Sequence, residues 1–301
     1  MSIRPVKKIL KAQPTIEGAG VNLRRAVGFG DPSETDPFLL LDDFRSDNPE
    51  DYIAGFPWHP HRGIETITYV LAGSVEHGDS IGNKGVISSG DIQWMTAGSG
   101  IIHQEMPKGD SYGRMHGFQL WANLPAALKM TAPRYQEIKS SDIPEVIDDD
   151  GTKVRIVCGE FWGKKGPVDG IAADPTYVDI YVPSGKRKTF SINNMNNAFA
   201  YVFAGSGKFL HASSPLAVPT ENIEIINSGQ AAEADNRSLI LFDSGDEVTV
   251  QADDQGIRFL LISGKPLKEP VAWYGPIVMN TQEELQKAFK ELQMGTFLKS
   301  R

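Results

Sequence analysis

The residues of this chain best suited to chemistry form two short pairs, His59-Pro-His61 and His103-Gln-Glu105. Side chains two positions apart on a β-strand point to the same face, so each pair presents two donor groups together. If the two pairs lie on neighbouring segments inside a barrel, three imidazoles and one carboxylate converge on one point. Such a donor set suits Fe(II), Mn(II), Ni(II) or Zn(II) better than Ca²⁺ or Mg²⁺, which prefer oxygen ligands.

The segments around these pairs are predicted to be short strands. Apolar runs rich in β-branched and aromatic residues are bounded by turn residues such as Ala72-Gly73-Ser74. The predicted strands are 38–41, 65–71, 92–95, 118–122, 154–157, 177–182, 199–203, 239–242, 248–251 and 258–262. Many short strands are typical of an all-β sandwich or barrel. The one predicted helix begins near Thr281, where Thr281 and Glu284 have the form of a capping box.

Two internal repeats indicate a duplicated β-domain. Tyr69-Val-Leu-Ala-Gly-Ser74 recurs as Tyr201-Val-Phe-Ala-Gly-Ser206, and Ser89-Gly-Asp91 recurs as Ser244-Gly-Asp246. The two copies of the second motif lie further apart in the sequence than the two copies of the first, which predicts an insertion over 211–236. We therefore predict two tandem domains, 1–145 and 146–301, joined near the acidic segment 144–151.

Composition restricts the class of protein and of partner. The chain has 301 residues, a single cysteine (Cys158) and a net charge of −8. One cysteine cannot form an intramolecular disulfide, and we expect a buried, inert thiol in a reducing compartment. The acidic balance argues against direct binding of nucleic acid or an anionic membrane. The first residues lack the apolar core of a secretory signal, so we expect a cytoplasmic protein, nuclear as well if eukaryotic.

The motifs resemble those of a known family. His59-Pro-His61, Glu65 and Gly73, followed by Gly90-Asp91, Ala97-Gly98, Gly100 and His103, resemble the paired motifs of the cupin superfamily. Longer strings resemble the pirin family and span nearly the whole chain: Asp36-Pro-Phe-Leu-Leu-Leu-Asp-Asp43, Phe56-Pro-Trp-His-Pro-His-Arg-Gly-Ile-Glu-Thr66, Gln93-Trp-Met-Thr-Ala-Gly-Ser-Gly100, His116-Gly-Phe-Gln-Leu-Trp121, Glu269-Pro270 and Gly275-Pro-Ile-Val-Met-Asn-Thr281.

The resemblance implies an all-β bicupin: two double-stranded β-helix (jelly-roll) barrels, with a short C-terminal helix packing back on the first. It implies one iron, Fe(II), in the N-terminal barrel, held by His59, His61, His103 and Glu105. In ordinary cupins the first-motif glutamate, here Glu65, is the carboxylate ligand, so Glu65 is the second choice after Glu105. In the second barrel, Ser191 and Asn193 occupy the positions of the first histidine pair, and we predict no metal there.

The surroundings of the metal are less specified. Glu65, Asp43 and Gln93 are candidate hydrogen-bond acceptors behind the metal-bound histidines. His77 and His116 are predicted either to line the pocket or to be ordinary hydrogen-bonded histidines, and His211 to lie at the surface. The bulk of an apolar core or cavity is assigned to Phe56, Trp94, Met95, Phe118 and Trp121.

The resemblance implies a dioxygenase similar to quercetin 2,3-dioxygenases, acting on a phenolic or enolic small molecule with O₂. Glu105 would be the catalytic group that takes the proton of the flavonol 3-hydroxyl. The alternative is an iron-dependent, redox-sensing regulator that binds transcription factors or metabolic enzymes as protein partners. A metal-dependent isomerase is a third hypothesis, because the fold by itself does not define the reaction.

Overall fold

The computed structural model describes residues 2–210 and 231–299, and these are almost entirely β-structure. The strands are β1 (Val6–Lys11), β2 (Gln13–Glu17), β3 (Val21–Val27), β4 (Phe38–Asp43), β5 (Phe56–His61), β6 (Ile64–Ala72), β7 (Ser74–Asp79), β8 (Lys84–Ser88), β9 (Ile92–Thr96), β10 (Ile101–Lys108), β11 (His116–Asn123), β12 (Arg134–Ile138), β13 (Glu145–Ile147), β14 (Lys153–Cys158), β15 (Glu160–Phe161), β16 (Lys164–Lys165), β17 (Thr176–Val182), β18 (Arg187–Ser191), β19 (Asn197–Phe209), β20 (Ala232–Asp235), β21 (Ser238–Phe242), β22 (Glu247–Gly264), β23 (Ala272–Tyr274) and β24 (Ile277–Met279). The α-helix, α1, spans Gln282–Gln293, and short 3₁₀ turns cover Pro32–Glu34, Pro49–Asp51, Ala126–Leu128 and Ser140–Asp142.

Each of the ten predicted strands lies within an observed strand. Two of them, 248–251 and 258–262, are parts of the single strand β22, which pairs with β18 along its first half and with β17 along its second half. They belong to one strand because β19 pairs with β22 on both sides of the intervening residues. The register shifts between Ala252 and Ile257, where Gly256 has φ of +73°.

The chain divides into two compact units. The first, called the first barrel here, contains residues 12–143, 167–174 and the described part of 266–301. The second barrel contains residues 2–11, 144–166 and the described part of 175–265. This division differs from the boundaries expected from the sequence, since residues 2–11 belong to the second barrel. They do so because β1 pairs with β21 and Ile9 packs against the apolar core of that barrel.

The first barrel is built from two antiparallel sheets. One has seven strands in the order β12-β9-β6-β11-β4-β3-β2, and the other has four in the order β5-β10-β7-β8. The second barrel is built on a nine-stranded sheet whose main order is β1-β21-β19-β22-β17-β14-β13. The all-β prediction with one short C-terminal helix is confirmed, and no helix among the described residues has the length and apolar content needed to cross a membrane.

The helix α1 begins as predicted, with a complete capping box. The Thr281 hydroxyl accepts the backbone N–H of Glu284, and the Glu284 carboxylate accepts the backbone N–H of Thr281. Leu285 and Ala288 are buried in a cluster with β23, β24 and Phe297. The helix therefore belongs to the first barrel, although it lies at the end of the sequence.

A buried arginine ties the C-terminal segment to the strand that carries the first histidine pair. Arg62 directly follows β5 and is only 2% exposed. Its guanidinium donates to the Ser99 carbonyl (2.8 Å), to Oε2 of Glu291 (2.8 Å) and to the Phe297 carbonyl (2.7 Å), and lies 4.2 Å from the centre of the Phe297 ring. Removal of the guanidinium would leave the Ser99 and Phe297 carbonyls without this donor, whereas Glu291 would keep its contact with Lys299 at 2.8 Å.

Lys129 reinforces the same connection. Its ammonium donates to the carbonyls of Gly63 (2.9 Å) and Val278 (3.1 Å) and to Oδ1 of Asn123 (2.7 Å). Gly63 has φ of +78°, and a Cβ there would collide with the Val278 carbonyl, so only glycine permits this approach of β24. Burial lowers the pKa of Lys129 to about 8.

We predict that Arg62→Met destabilises the first barrel by about 2 to 4 kcal/mol, because it leaves the buried Ser99 and Phe297 carbonyls without the guanidinium that donates to them. Urea unfolding followed by tryptophan fluorescence measures this. Trp58, Trp94, Trp121 and Trp273 lie in the first barrel and Trp162 in the second. The matched control is Arg114→Met, which removes an exposed ion pair with Asp110 and should leave the unfolding midpoint unchanged. Equal midpoints for the two variants would contradict the prediction.

Candidate metal centre

The two predicted donor pairs lie on adjacent antiparallel strands. Strand β5 pairs with β10 so that His59 is opposite His103 and His61 is opposite Ile101. The three imidazole rings converge, with centroids 4.8 Å apart for His59 and His61, 4.4 Å for His59 and His103, and 5.0 Å for His61 and His103. One ring nitrogen of each histidine lies within 4.8 Å of the others. The alternation expected from the sequence therefore brings these three side chains together.

Backbone carbonyls determine which nitrogen of two of these rings is available. Nδ1 of His59 is 2.8 Å from the Pro57 carbonyl, and Nδ1 of His61 is 3.2 Å from the Pro276 carbonyl. A carbonyl oxygen only accepts, so both Nδ1 atoms carry the proton and both Nε2 atoms present lone pairs. These two Nε2 atoms are 3.0 Å apart. Two lone pairs held this close repel each other unless a cation lies between them.

His103 completes this arrangement. It is 1% exposed, and neither of its ring nitrogens has a hydrogen-bond partner among the described residues. A buried polar nitrogen without a partner is strongly unfavourable, and a metal ion would satisfy it. Ligands about 2.1 Å from a metal lie roughly 3 to 4 Å from one another, which matches the 3.0 Å between the Nε2 atoms of His59 and His61. The three side chains therefore fit a metal ion.

The electrostatics favour the neutral imidazoles that metal binding requires. Burial lowers the pKa of His59 and lowers the pKa values of His61 and His103 well below their ordinary range. Neighbouring imidazoles add to this effect at His61 and His103, since a positive charge on one ring disfavours a second.

The carboxylate of Glu105 borders the cluster at a slightly greater distance. Its Oε2 is 4.0 Å from Nε2 of His103, and its Oε1 is 3.1 Å from the hydroxyl of Thr68. Burial raises the pKa of Glu105 to about 7, opposed by the hydrogen bond from Thr68. Glu105 and His103 are two residues apart on β10, so they lie on the same face of this strand. The pairing with β5 shifts between them, and Glu105 lies opposite Phe56.

The second-choice carboxylate, Glu65, faces the other way. It alternates along β6 with Thr66 and Thr68, and Thr68 is the residue that contacts Glu105. Glu65 is buried and accepts a hydrogen bond of 2.7 Å from the Thr96 hydroxyl. Its Oε atoms are not part of the histidine cluster.

The hydrogen-bond acceptors behind the histidines are not those expected from the sequence. The Pro57 and Pro276 carbonyls take the role assigned to Glu65, Asp43 and Gln93. Backbone carbonyls leave no residue-type signal in a sequence, and Pro276 is 215 residues from His61. Only the folded chain reveals them.

Gln93 and Asp43 instead have other partners. Gln93 hydrogen-bonds to Nε2 of His77 at 2.9 Å, and Asp43 pairs with Arg45 at 3.0 Å. His77 also lies 3.0 Å from the Glu137 carboxylate, so it is an ordinary hydrogen-bonded histidine. His116 contacts the Phe118 ring and lies 3.8 Å from Asp43.

A cavity of about 750 Å³ opens beside the histidines. Its wall includes His59, His61 and Glu105, and the aromatic rings of Phe56 and Trp121. Among the residues predicted to supply apolar bulk, Trp94, Met95 and Phe118 are instead fully buried in the protein interior. Trp273 and Tyr274, which the sequence did not single out, also line the cavity. This volume is in the usual range for small-molecule sites.

The interior of the second barrel has a different chemistry. Its core is apolar and rich in phenylalanine, including Phe190, Phe209 and Phe259. Ser191, predicted to replace a ligand, ends β18, and Asn193 follows it. The absence of metal from this barrel stays a prediction. His211 and most of the predicted insertion lie outside the described residues, whereas 232–235 form β20. Cys158 is buried, as expected.

Comparison with known proteins assigns the family. The Pirin family model matches residues 20–122, and the Pirin C-terminal cupin domain matches residues 177–298. A pirin-like protein of Caulobacter vibrioides is 44% identical over 99% of this chain and 100% of the relative. A pirin-like protein of Solanum lycopersicum is 41% identical over 96% of this chain and 91% of its own length.

A solved structure shares the fold. The quercetin 2,3-dioxygenase from Acinetobacter baumannii superposes with a TM-score of 0.84 at 28% identity, and the match covers 98% of both chains. The predicted pair of cupin domains is confirmed. Sequence identity over the full length and the two matched domains together show that this chain belongs to the pirin family, a member of the cupin superfamily.

Proposed function

We propose that this chain is an iron-dependent dioxygenase that opens a flavonol-like enolic substrate with O₂. The observation that carries the proposal is the pair of imidazole lone pairs held 3.0 Å apart on the wall of a cavity of about 750 Å³. This arrangement combines a cation site with room for a small organic molecule. The likeness to a quercetin 2,3-dioxygenase at 28% identity supports the same reaction class.

Four side chains would hold the metal: His59, His61, His103 and Glu105. Three neutral imidazoles and one carboxylate suit Fe(II), with manganese, nickel and zinc as chemically compatible substitutes. When bound, the metal would supply Lewis acidity for the enolic hydroxyl and an electron path between substrate and O₂. The Pro57 and Pro276 carbonyls hold the first two rings in the required tautomer.

The cavity walls orient a flat substrate. Phe56, Trp121 and Trp273 line it, and their ring faces and edges suit contact with an aromatic ligand. Trp121 also packs edge-to-face against His61, with ring centres 5.1 Å apart. A ring held between these side chains brings its enolic oxygen to the histidines and excludes water from the reacting end.

Glu105 is the group that accepts the enolic proton. Its Oε1 is held by the Thr68 hydroxyl, and its Oε2 faces His103. The Thr68 hydroxyl also lies 2.7 Å from the side-chain amide of Gln119. A hydroxyl both donates and accepts, so Thr68 can donate to an ionised Glu105 or accept from a protonated one. The site therefore accommodates Glu105 before and after proton transfer.

We predict that His103→Ala abolishes metal binding, because it removes a buried imidazole that has no hydrogen-bond partner among the described residues. Elemental analysis after anaerobic loading with ferrous ion measures this. The matched control is His116→Asn, in the same barrel but outside the cluster, which should load like the wild type. Full loading of His103→Ala would contradict the proposed ligand set.

We predict that Glu105→Gln lowers kcat for quercetin by about 10²- to 10⁴-fold at saturating metal, since it removes the proton acceptor. An oxygen electrode and detection of carbon monoxide follow the reaction. The matched control is Glu65→Gln, a buried carboxylate that faces away from the cluster and should retain activity.

The proposed reaction would be contradicted if wild-type protein, fully loaded with iron, consumed no O₂ with any member of a flavonol panel. Greater loss in Glu65→Gln than in Glu105→Gln would overturn the assignment of the proton acceptor alone. Metal-dependent capture of a protein partner, without turnover, would favour the regulatory role instead.

A further inference from the structure

A row of polar side chains crosses the seven-stranded sheet of the first barrel. Residues directly opposite one another on six successive strands form this row: Glu137, Gln93, Thr68, Gln119, Asp42 and Arg25. The next row on one side contains Tyr135, Met95, Thr66, Trp121 and Leu40. On that side, a mostly apolar row thus borders the polar row.

One end of this row forms a charged cluster on the cavity wall. Nε of Arg25 donates to Oδ1 of Asp42 and a terminal nitrogen donates to Oδ2, both at 2.8 Å. The same terminal nitrogen lies 2.8 Å from Oε1 of Glu17. Asp42 is only 5% exposed, and all three side chains line the cavity that also contains His59 and Glu105.

The charge of this cluster has a definite sign. One guanidinium faces two carboxylates, so the cluster is one unit negative when both acids are ionised. Among the described residues that line the cavity, Arg25 is the single lysine or arginine. Each carboxylate has about four lone-pair positions, and those not used by Arg25 can accept hydrogen bonds from hydroxyl groups. A carboxylate on a ligand would find no unpaired cation here.

The spacing of the row sets the length of a ligand that could use both ends. Asp42 and Thr68 are separated by two strand intervals, about 10 Å. Thr68 is hydrogen-bonded to Glu105, which borders the histidines. Trp121 and Leu40, two residues along β11 and β4, line the same cavity. The side chains of Trp121 and Leu40 therefore flank the line that runs from Thr68 through Gln119 to Asp42.

We propose that Asp42 and Glu17, positioned by Arg25, form a binding subsite for hydroxyl groups on the aromatic ring of the substrate far from the metal. The chain thus selects uncharged, polyhydroxylated aromatic substrates and rejects those with a carboxylate at that end. This inference rests on the proposed function for the orientation of the substrate. The hydrogen bonds are made to ionised acceptors, so each contributes about tenfold or more in affinity.

Anaerobic binding to the iron-loaded protein tests the subsite without turnover. Titration calorimetry compares quercetin with galangin, the same flavonol without the two hydroxyls on the distal ring, and with a flavonol that carries a carboxylate on that ring. We expect quercetin to bind at least about tenfold more tightly than galangin, and the carboxylate ligand to bind most weakly.

Two variants separate recognition from folding. Asp42→Asn removes the buried charge and should bring the ratio of the quercetin and galangin affinities close to one. It should also strengthen binding of the carboxylate ligand. Glu17→Gln changes a side chain that is 41% exposed and should shift both quantities in the same direction by less, without loss of stability. The matched control is Glu76→Gln, an exposed acid on β7 outside the cavity, which should behave like the wild type.

The subsite is overturned if wild-type protein binds the three ligands equally, or if neither variant changes the ratio. Oxygen uptake is measured separately with the same ligands. Discrimination among the three ligands in binding, without oxygen uptake, would support the subsite and contradict the proposed reaction. Oxygen uptake without such discrimination would support the reaction and contradict the subsite.

Discussion

The candidate metal centre depends on two hydrogen bonds to backbone carbonyls. Because the carbonyls of Pro57 and Pro276 accept the Nδ1 protons of His59 and His61, the Nε2 lone pairs face each other at 3.0 Å. The ring of His103, whose nitrogens have no hydrogen-bond partner among the described residues, lies beside them. The protein holds these groups in an arrangement that is unfavourable without a cation, so the energy needed to organise the ligands is supplied by folding. Pro276 lies in the turn between β23 and β24, so the C-terminal segment of the first barrel takes a direct part in orienting His61.

Polar side chains in the interior of the first barrel have an ordered arrangement. A row of polar side chains runs from Glu137 to Arg25 across its seven-stranded sheet, and Thr68 is the member of that row in contact with Glu105. The proposed proton acceptor thus contacts the row that ends in the proposed recognition cluster. The core of the second barrel is instead apolar and rich in phenylalanine. Buried polar groups need hydrogen-bond partners, and within the row Thr68 bonds to Gln119 and Arg25 bonds to Asp42.

The repeated sequence motif places a glycine at the same position in both barrels, where the backbone requires one. Gly73 and Gly205, which occupy the same place in the repeat, have φ values of +79° and +68°. A Cβ at Gly73 would lie 2.7 Å from the Lys108 carbonyl, and a Cβ at Gly205 would collide with the Gly256 carbonyl. Glycine is therefore required at both positions, in the turn after β6 and at the irregularity within β19, for conformation and for the close approach of another backbone. The histidine pairs have no such backbone role, so one copy could lose them and keep its fold.

Local patterns determined much of this protein. Apolar runs rich in β-branched and aromatic residues located all ten predicted strands, the capping box at Thr281 located the helix, and the two-residue spacing of the histidine pair placed both rings on one face. These features depend on neighbouring residues, so the sequence displays them directly. The tertiary structure decided which distant groups meet. It paired His61 with the Pro276 carbonyl, turned Glu65 away from the cluster, joined residues 2–11 to the second barrel and aligned Arg25, Asp42 and Gln119 in one row. Strand register and backbone acceptors arise from pairing across long sequence separations, and no residue type marks them in advance.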